Sequence, residues 1–210
     1  MMDLQNIFTS IYEHPTGWGS EESKSGVGSE LMSTVKLRQE LNFLFMKYKI
    51  KSVLDVPCGD FNWFSKMDLS DIKYTGGDIV EELIEKNKIK YPNNQFIHID
   101  ITKDELLESD LVITRDCFVH LSNQNIINSI ENIKKSGSRF LLTTSFTKFC
   151  ENSNIQDGEW REINLMIHPF NLKPIYLINE MCFEAYPFAT DKCMLLFDLK
   201  DLYNCRYENR

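Results

Sequence analysis

The sequence predicts an α/β domain built on a parallel sheet. Short apolar runs alternate with longer amphipathic ones from residue 52 onward, the first run passes straight into a tight turn containing glycine, and three consecutive runs end in an acid, Asp55, Asp78 and Asp100. The first thirty residues stand apart. Thr16-Gly17-Trp18-Gly19-Ser20 and Ser25-Gly26-Val27-Gly28-Ser29 concentrate Gly and Ser around one Trp with no helical or strand period, so residues 1–28 are expected to form an arm or lid. From a candidate cap at Ser29, Leu31, Val35, Leu37, Leu41, Leu44 and Phe45 recur at helical spacing, which predicts a helix ending near Tyr48.

Five strands follow, over Ser52–Val56, Ile72–Gly76, Gln95–Ile99, Asp110–Thr114 and Arg139–Ser145. Helices are expected between them at Phe61–Met67, Val80–Lys90 and Asn123–Lys135, with a short turn near Asp104–Leu107, each fitting a right-handed crossover. The rhythm breaks in a polar stretch from Asn152 to Gly158. An apolar segment, Trp160–Phe170, and a terminal strand pair, Ile175–Ile178 and Cys193–Leu199, complete the pattern.

Composition excludes several function classes. The 210 residues carry 23 Lys and Arg against 31 Asp and Glu, a net charge of −8, which argues against a broad nucleic-acid or anionic-membrane surface. No run approaches the ~18 apolar residues of a membrane span, and MMDLQNIFTS lacks the basic flank of a secretion signal, so a cytoplasmic chain is expected. Cys58, Cys117, Cys150, Cys182, Cys193 and Cys205 lie far apart without C-x-x-C pairs and read as reduced thiols; no metal is expected.

Val53-Leu54-Asp55-Val56-Pro57-Cys58-Gly59-Asp60 places a strand end, an acid and a glycine where open α/β sheets bind ligands. Gly59 permits close backbone approach, although one glycine also suits an ordinary strand-to-helix turn. A dinucleotide site would need G-x-G-x-x-G at this turn, and only one glycine is present. Asp78, about twenty residues further on, has the spacing of a ribose-binding acid. Asp100 ends the third strand, where it can accept from an adenine amino group while Ile101 packs on the ring.

These residues resemble the class I S-adenosylmethionine-dependent methyltransferases over about Ser29 to Leu199. A narrower likeness, carried by GWGS…SGVGS, VLDVPCGDFNW, TRDCFVHLS, FLLTTSF, GEWREINLMIHPFNL and DKCMLLFDL, is to a small bacterial and viral subgroup often found among surface-glycan biosynthesis genes. The resemblance implies a Rossmann-like, doubly wound, seven-stranded sheet with an antiparallel last strand in an α/β/α sandwich. It also implies a catalytic domain over 29–210, with a specificity insertion about 147–173, and S-adenosyl-L-methionine as cofactor. The cofactor-binding residues it implies are Asp55, Pro57, Cys58, Gly59, Asp60, Trp63, Asp78, Ile79, Asp100, Ile101 and Arg115. The turn departs from the two- or three-glycine form common in that family.

The fourth strand leads into Thr114-Arg115-Asp116-Cys117-Phe118-Val119-His120-Leu121, which faces the transferable methyl from across the cofactor. If the acceptor is a hydroxyl, His120 is the first candidate base and Asp116 the second, with a packed imidazole and an Arg115 salt bridge as the respective structural alternatives. Trp18, Trp160 and His168 are candidate acceptor contacts, an aromatic beside polar groups suiting a sugar face. The expected activity is O-methylation of a saccharide or glycan precursor. A phosphorylated metabolite or other small acceptor is the second reading, and a non-catalytic scaffold the third; nucleic acid is not expected.

Overall fold

The computed structural model describes residues 3–14, 19–148, 150–181 and 191–202. Seven strands form one sheet: β1 Ser52–Asp55, β2 Lys73–Asp78, β3 Gln95–His98, β4 Leu111–Thr114, β5 Phe140–Phe146, β6 Tyr176–Asn179 and β7 Lys192–Asp198. Their order is β3-β2-β1-β4-β5-β7-β6, parallel through β5, with β7 antiparallel to both of its neighbours. The chain winds outward from β1 to β3 and then returns to β4. A crevice therefore opens beyond the carboxyl ends of β1 and β4, where the winding direction reverses.

Alternation along the strands builds two cores. Leu54, Val112, Leu141, Leu195 and Phe197 face one side with Ile126, Ile130 and Ile133 of α4 (Asn123–Lys135). Val53, Leu111, Ile113, Leu142, Met194 and Leu196 face the other, with Leu37, Leu41, Leu44 and Phe45 of α2 (Val35–Tyr48) and Ile84 of α3 (Glu81–Lys90). Helices on both faces make the expected three layers. A last short helix, α5 (Leu199–Leu202), closes the described chain.

Four local expectations are corrected. The N-terminal arm contains a ten-residue helix, α1 (Leu4–Glu13), capped by Asp3, whose carboxylate accepts from Asn6 N at 2.9 Å. Its Leu4, Ile7, Phe8 and Ile11 recur at i, i+3, i+4 and i+7, which is the period of an amphipathic helix. Ser29 ends a 3₁₀ turn, Val27–Ser29, and Thr34 is the N-cap of α2. Phe61 has φ +57°, which no right-handed helix accommodates, so only a 3₁₀ turn, Phe64–Lys66, forms after the glycine turn. The burial of its ring against Tyr74, Tyr91 and Phe96, at centroid distances of 4.8, 4.9 and 5.3 Å, offsets that strain. The turn expected near Asp104–Leu107 lies earlier, over 101–104.

Between β5 and β6, the described residues of 147–173 hold no regular helix or strand. Cys58, Cys117 and Cys193 are buried free thiols and Cys150 is an exposed one; Cys182, Cys205 and Trp18 lie outside the described residues. Among the described residues no helix is long and apolar enough to cross a membrane, and no three His, Cys, Asp or Glu side chains group as a metal site.

Candidate active site

One cavity occupies the crevice, and the ends of β1 to β4 supply its floor: Asp55, Pro57, Cys58, Gly59, Asp78, Ile79, Asp100, Ile101, Arg115, Asp116 and His120 all line it. Asp55 is 2% exposed and accepts a hydrogen bond from Tyr74 Oη at 2.8 Å. Burial raises its carboxyl to about 7, with Asp78 adding to the rise while Tyr74 and Arg115 oppose it. Such a group gains strongly from a cation brought against it.

Asp78 stands at the end of β2 with both oxygens directed by backbone donors, Gly59 N at 3.1 Å and Val80 N at 3.0 Å. Burial pushes it up to about 6 despite those bonds. Each carboxylate oxygen retains a second lone pair, so two hydroxyls on a ligand can still be accepted. Gly59 has φ +53°, and an added Cβ would collide with Ser25 Oγ, so both the backbone and the neighbouring loop require glycine there. The Cys58 thiol is pushed well above its usual value by burial, chiefly, and by Asp78 and Asp55, which makes it a packing residue. Asp100 is held by Thr102 N and Oγ1 at 2.9 and 2.7 Å and by Lys103 Nζ at 3.1 Å. Ile79, Val80, Leu83, Ile99 and Ile101 give this end of the cavity apolar walls.

The roof comes from the N-terminal arm. Leu4, Phe8, Ile11 and Tyr12 of α1 line the cavity, Tyr12 Oη accepts from Lys86 Nζ at 3.1 Å, and Gly158 lies so close beneath Ile7 that a Cβ there would sit 2.6 Å from it. Asp60, expected at the cofactor, does not line the cavity. Its carboxylate instead accepts from Ser23 Oγ at 3.1 and 3.0 Å, from Lys24 N at 2.8 Å and from Ser25 Oγ at 3.3 Å, tying the arm to the glycine turn.

Beyond β4, Arg115 lies over the Trp63 ring, with its guanidinium carbon 5.9 Å from the centroid. Its Nε and Nη2 donate to Oε2 of Glu180 at 3.2 and 2.6 Å, and Nη1 stands 3.2 Å from Asp116. Asp116 has φ +52° and is held by Thr144 Oγ1, at 3.1 Å from its Oδ1, and by Lys192 Nζ at 2.7 Å. Burial would raise its carboxyl, but Lys192 and Arg115 outweigh it and hold the group well below the usual range. A carboxylate so stabilised is a poor proton acceptor; the salt bridge anticipated for Asp116 is present and is joined by a second. Glu180 and Lys192 carried no signal in the sequence, because their partners are 65 and 76 residues away.

His120 is half-buried at the end of a 3₁₀ turn, Phe118–His120, and its Nδ1 donates to the Glu159 carbonyl at 2.9 Å. That bond places the proton of the neutral ring on Nδ1 and the lone pair on Nε2. Burial lowers the imidazole to about 4, with Arg161 and Lys192 acting the same way, against Glu159 and Asp116.

The segment 157–161 does not present its aromatic to the cavity. Trp160 is 53% exposed and meets Phe146 edge-on at 6.3 Å, and His168 is exposed. The buried residue of this segment is Arg161, whose guanidinium donates to the carbonyls of Phe118, Val119, Leu121 and Ser153 and to Asn123 Oδ1 at 2.9–3.3 Å. With Gly158 N on the His120 carbonyl at 2.9 Å and Asp157 Oδ1 on Ser122 N at 2.7 Å, it clamps the His120 turn.

Solved structures share this architecture. An S-adenosylmethionine-dependent methyltransferase from Clostridium acetobutylicum ATCC 824 aligns with TM-score 0.59 at 12% identity, covering 93% of this chain and 99% of its own. The fold is that of the S-adenosylmethionine-dependent methyltransferases. The N-methyltransferase NodS from Bradyrhizobium japonicum WM9 aligns with TM-score 0.60 at 14% identity, over 81% of this chain and 98% of its own. Magnesium protoporphyrin IX methyltransferase from Synechocystis PCC 6803 with bound SAM aligns with TM-score 0.51 at 13% identity, over 76% and 82%. No protein-family model and no curated protein matches the chain. On this methyltransferase fold the crevice between β1 and β4 carries the acids described above.

Proposed function

We propose that the cavity binds S-adenosylmethionine and that the chain transfers its methyl group to an oxygen of a small acceptor of the saccharide or glycan-precursor class. The observation that carries the cofactor half is the set of three acids, Asp55, Asp78 and Asp100, delivered to one cavity by three adjacent strand ends with apolar walls beside them. The donor chemistry fits. Buried Asp55 suits the ammonium of the cofactor's amino-acid end, Asp78 suits the ribose hydroxyls, and Asp100 with Ile79 and Ile101 suits adenine.

When bound, the cofactor supplies a methyl group on a cationic sulfur, reactive toward a well-placed nucleophile. The chain's own work is then positioning and proton removal. Near-attack placement at roughly 3 Å accounts for most of the acceleration in such a displacement. His120, neutral near pH 7 and a stronger base than Asp116 although burial weakens it, accepts the acceptor hydroxyl proton on Nε2 while Nδ1–H stays on Glu159. The permanently charged Asp116 stabilises the imidazolium that forms. The roof of α1 residues excludes water once acceptor and cofactor are in place.

The saccharide class is supported by the sequence likeness to the glycan-associated subgroup. With Trp160 outside the cavity, selectivity for the acceptor is assigned to α1 and the His120 turn. Incubation with S-adenosylmethionine and separate pools of nucleotide sugars, phosphorylated metabolites and amines tests it. Formation of S-adenosylhomocysteine with the nucleotide sugars, lost in His120→Ala, is expected; product formed only with amines overturns the oxygen-acceptor assignment.

A further inference from the structure

Four buried or half-buried charges meet where β4, β6 and β7 end: Arg115, Asp116, Glu180 and Lys192. Burying ion pairs costs desolvation that apolar residues of the same size would avoid, so this cluster is a poor source of stability for a sheet end. Its geometry is also unequal. Asp116 is matched by Lys192 at 2.7 Å, whereas Glu180, 1% exposed, places a single oxygen against both Nε and Nη2 of Arg115. The effect on Arg115 is specific. A long side chain with several free torsions is pinned by a carboxylate outside the cavity and by the Trp63 ring, while Arg115 itself is one of the residues that line the cavity.

Across the same crevice stands Asp55, close enough for the Arg115 charge to act on its carboxyl. A carboxylate and a guanidinium in one cavity wall are complementary to an α-amino acid, whose ammonium and carboxylate are held one carbon apart. We propose that Arg115 receives the α-carboxylate of the cofactor's amino-acid end and that Glu180 is the residue that positions it. This inference rests on the cofactor assignment above and adds to it a division of labour. Asp55 and Arg115 read the amino acid, Asp78 and Asp100 read the nucleoside, and Glu180 acts only through Arg115. Guanidinium and carboxylate match in planar, paired geometry, so a fixed fork binds where a mobile ammonium would not.

Calorimetric titration separates the two halves of the ligand. The probes are S-adenosylhomocysteine, its decarboxylated analogue, which keeps the ammonium, and 5′-methylthioadenosine, which lacks the amino-acid end altogether. The wild type is expected to bind S-adenosylhomocysteine at least about tenfold more tightly than the decarboxylated analogue, as a charged hydrogen-bond pair implies. In Glu180→Gln that ratio should shrink to about threefold or less, with 5′-methylthioadenosine affinity within about twofold of wild type. A merely structural Glu180 would weaken all three ligands by one common factor, and that result overturns the proposal. So does a wild type that binds the acid and its decarboxylated analogue alike. Arg115→Lys, which keeps the charge and loses the fork, is read by the same ratio if Glu180→Gln does not fold. Wild type that binds neither S-adenosylhomocysteine nor 5′-methylthioadenosine overturns the cofactor assignment itself, a result distinct from equal binding of the acid pair.

Discussion

Replacing Arg161 by Met removes a guanidinium that donates to four backbone carbonyls and one side-chain oxygen, all within 3.3 Å. Hydrogen bonds from a charged donor contribute about 1.5–3 kcal/mol each, and five of them would sum to roughly the whole stability of a domain. The lost hydration of the buried cation takes most of that back; burial, opposed by Asp157, draws the guanidinium down to about 10. What remains on deletion is the cost of breaking a buried polar network: the Phe118 and Val119 carbonyls keep the backbone donors Leu121 N and Arg161 N, but the Leu121 and Ser153 carbonyls and Asn123 Oδ1 lose the guanidinium, about 3–5 kcal/mol in all. For a chain of this size each kcal/mol moves Tm by about 2–4 °C, so Arg161→Met should melt roughly 6–20 °C below wild type. Lys at this position recovers little, because one ammonium cannot span acceptors arranged around a planar fork. At a temperature where the variant is folded, turnover should fall while cofactor affinity stays within about twofold, since the clamp fixes the His120 turn and not the strand-end acids. Scanning calorimetry with a methyl-transfer assay checks both; a Tm within about 2 °C of wild type would refute the clamp.

Gly59→Ala should lose about 1–3 kcal/mol of stability and most cofactor affinity, because φ +53° and the Ser25 side chain both oppose a Cβ; denaturant titration beside ligand binding measures this. His120→Gln should cut turnover by about 10²- to 10⁴-fold with cofactor binding nearly unchanged, and full activity would return the imidazole to a packing role. With His120 drawn down to about 4, wild-type turnover should rise as pH passes that value and then level off toward neutrality, because the neutral ring is the base. Asp55, held at about 7 when folded, binds a proton that the unfolded chain has released above about 4, so its contribution to stability falls as pH rises from about 4 to 7. Asp55→Asn should therefore gain more in Tm relative to wild type at pH 8 than at pH 5; equal differences at both would show that burial does not raise this group.

The sheet was legible because each strand is a short apolar run with its own punctuation, and all seven runs are strands within a few residues of the expected bounds. Asn123–Lys135 is a helix over those very residues, its Ile126, Ile130 and Ile133 stripe facing the core behind a Ser122 cap. α1 carries a comparable stripe, Leu4, Ile7, Phe8 and Ile11, but it spans only ten residues and the glycines and serines that follow it dominate the composition of the arm. The failed helix at Phe61–Met67 has a different cause: aromatic rings packed across Tyr74, Tyr91 and Phe96 override the local preference and hold Phe61 at positive φ. Acids at strand ends were visible because topology alone brings them together. Arg161, Glu180 and Lys192 were not, because an arginine that pairs with carbonyls, or charges that meet across strands far apart in the chain, leave no local pattern. The ring of Trp160 and the place of Asp60 beside the glycine suit ligand contacts in the sequence, but the fold turns one to solvent and the other to Ser23 and Lys24.

The most direct test of cofactor binding at the strand-end acids is calorimetric titration of wild type, Asp78→Asn and Asp78→Ala with S-adenosylmethionine. Both variants also loosen the bonds from Gly59 and Val80, so circular dichroism must first show each to be folded. One-to-one binding by wild type is expected, with Asp78→Ala weaker by about 1.5–3 kcal/mol for each ribose bond lost and Asp78→Asn between the two. Folded wild type that takes up no S-adenosylmethionine, or an Asp78→Ala variant that binds it as tightly as wild type, would contradict it.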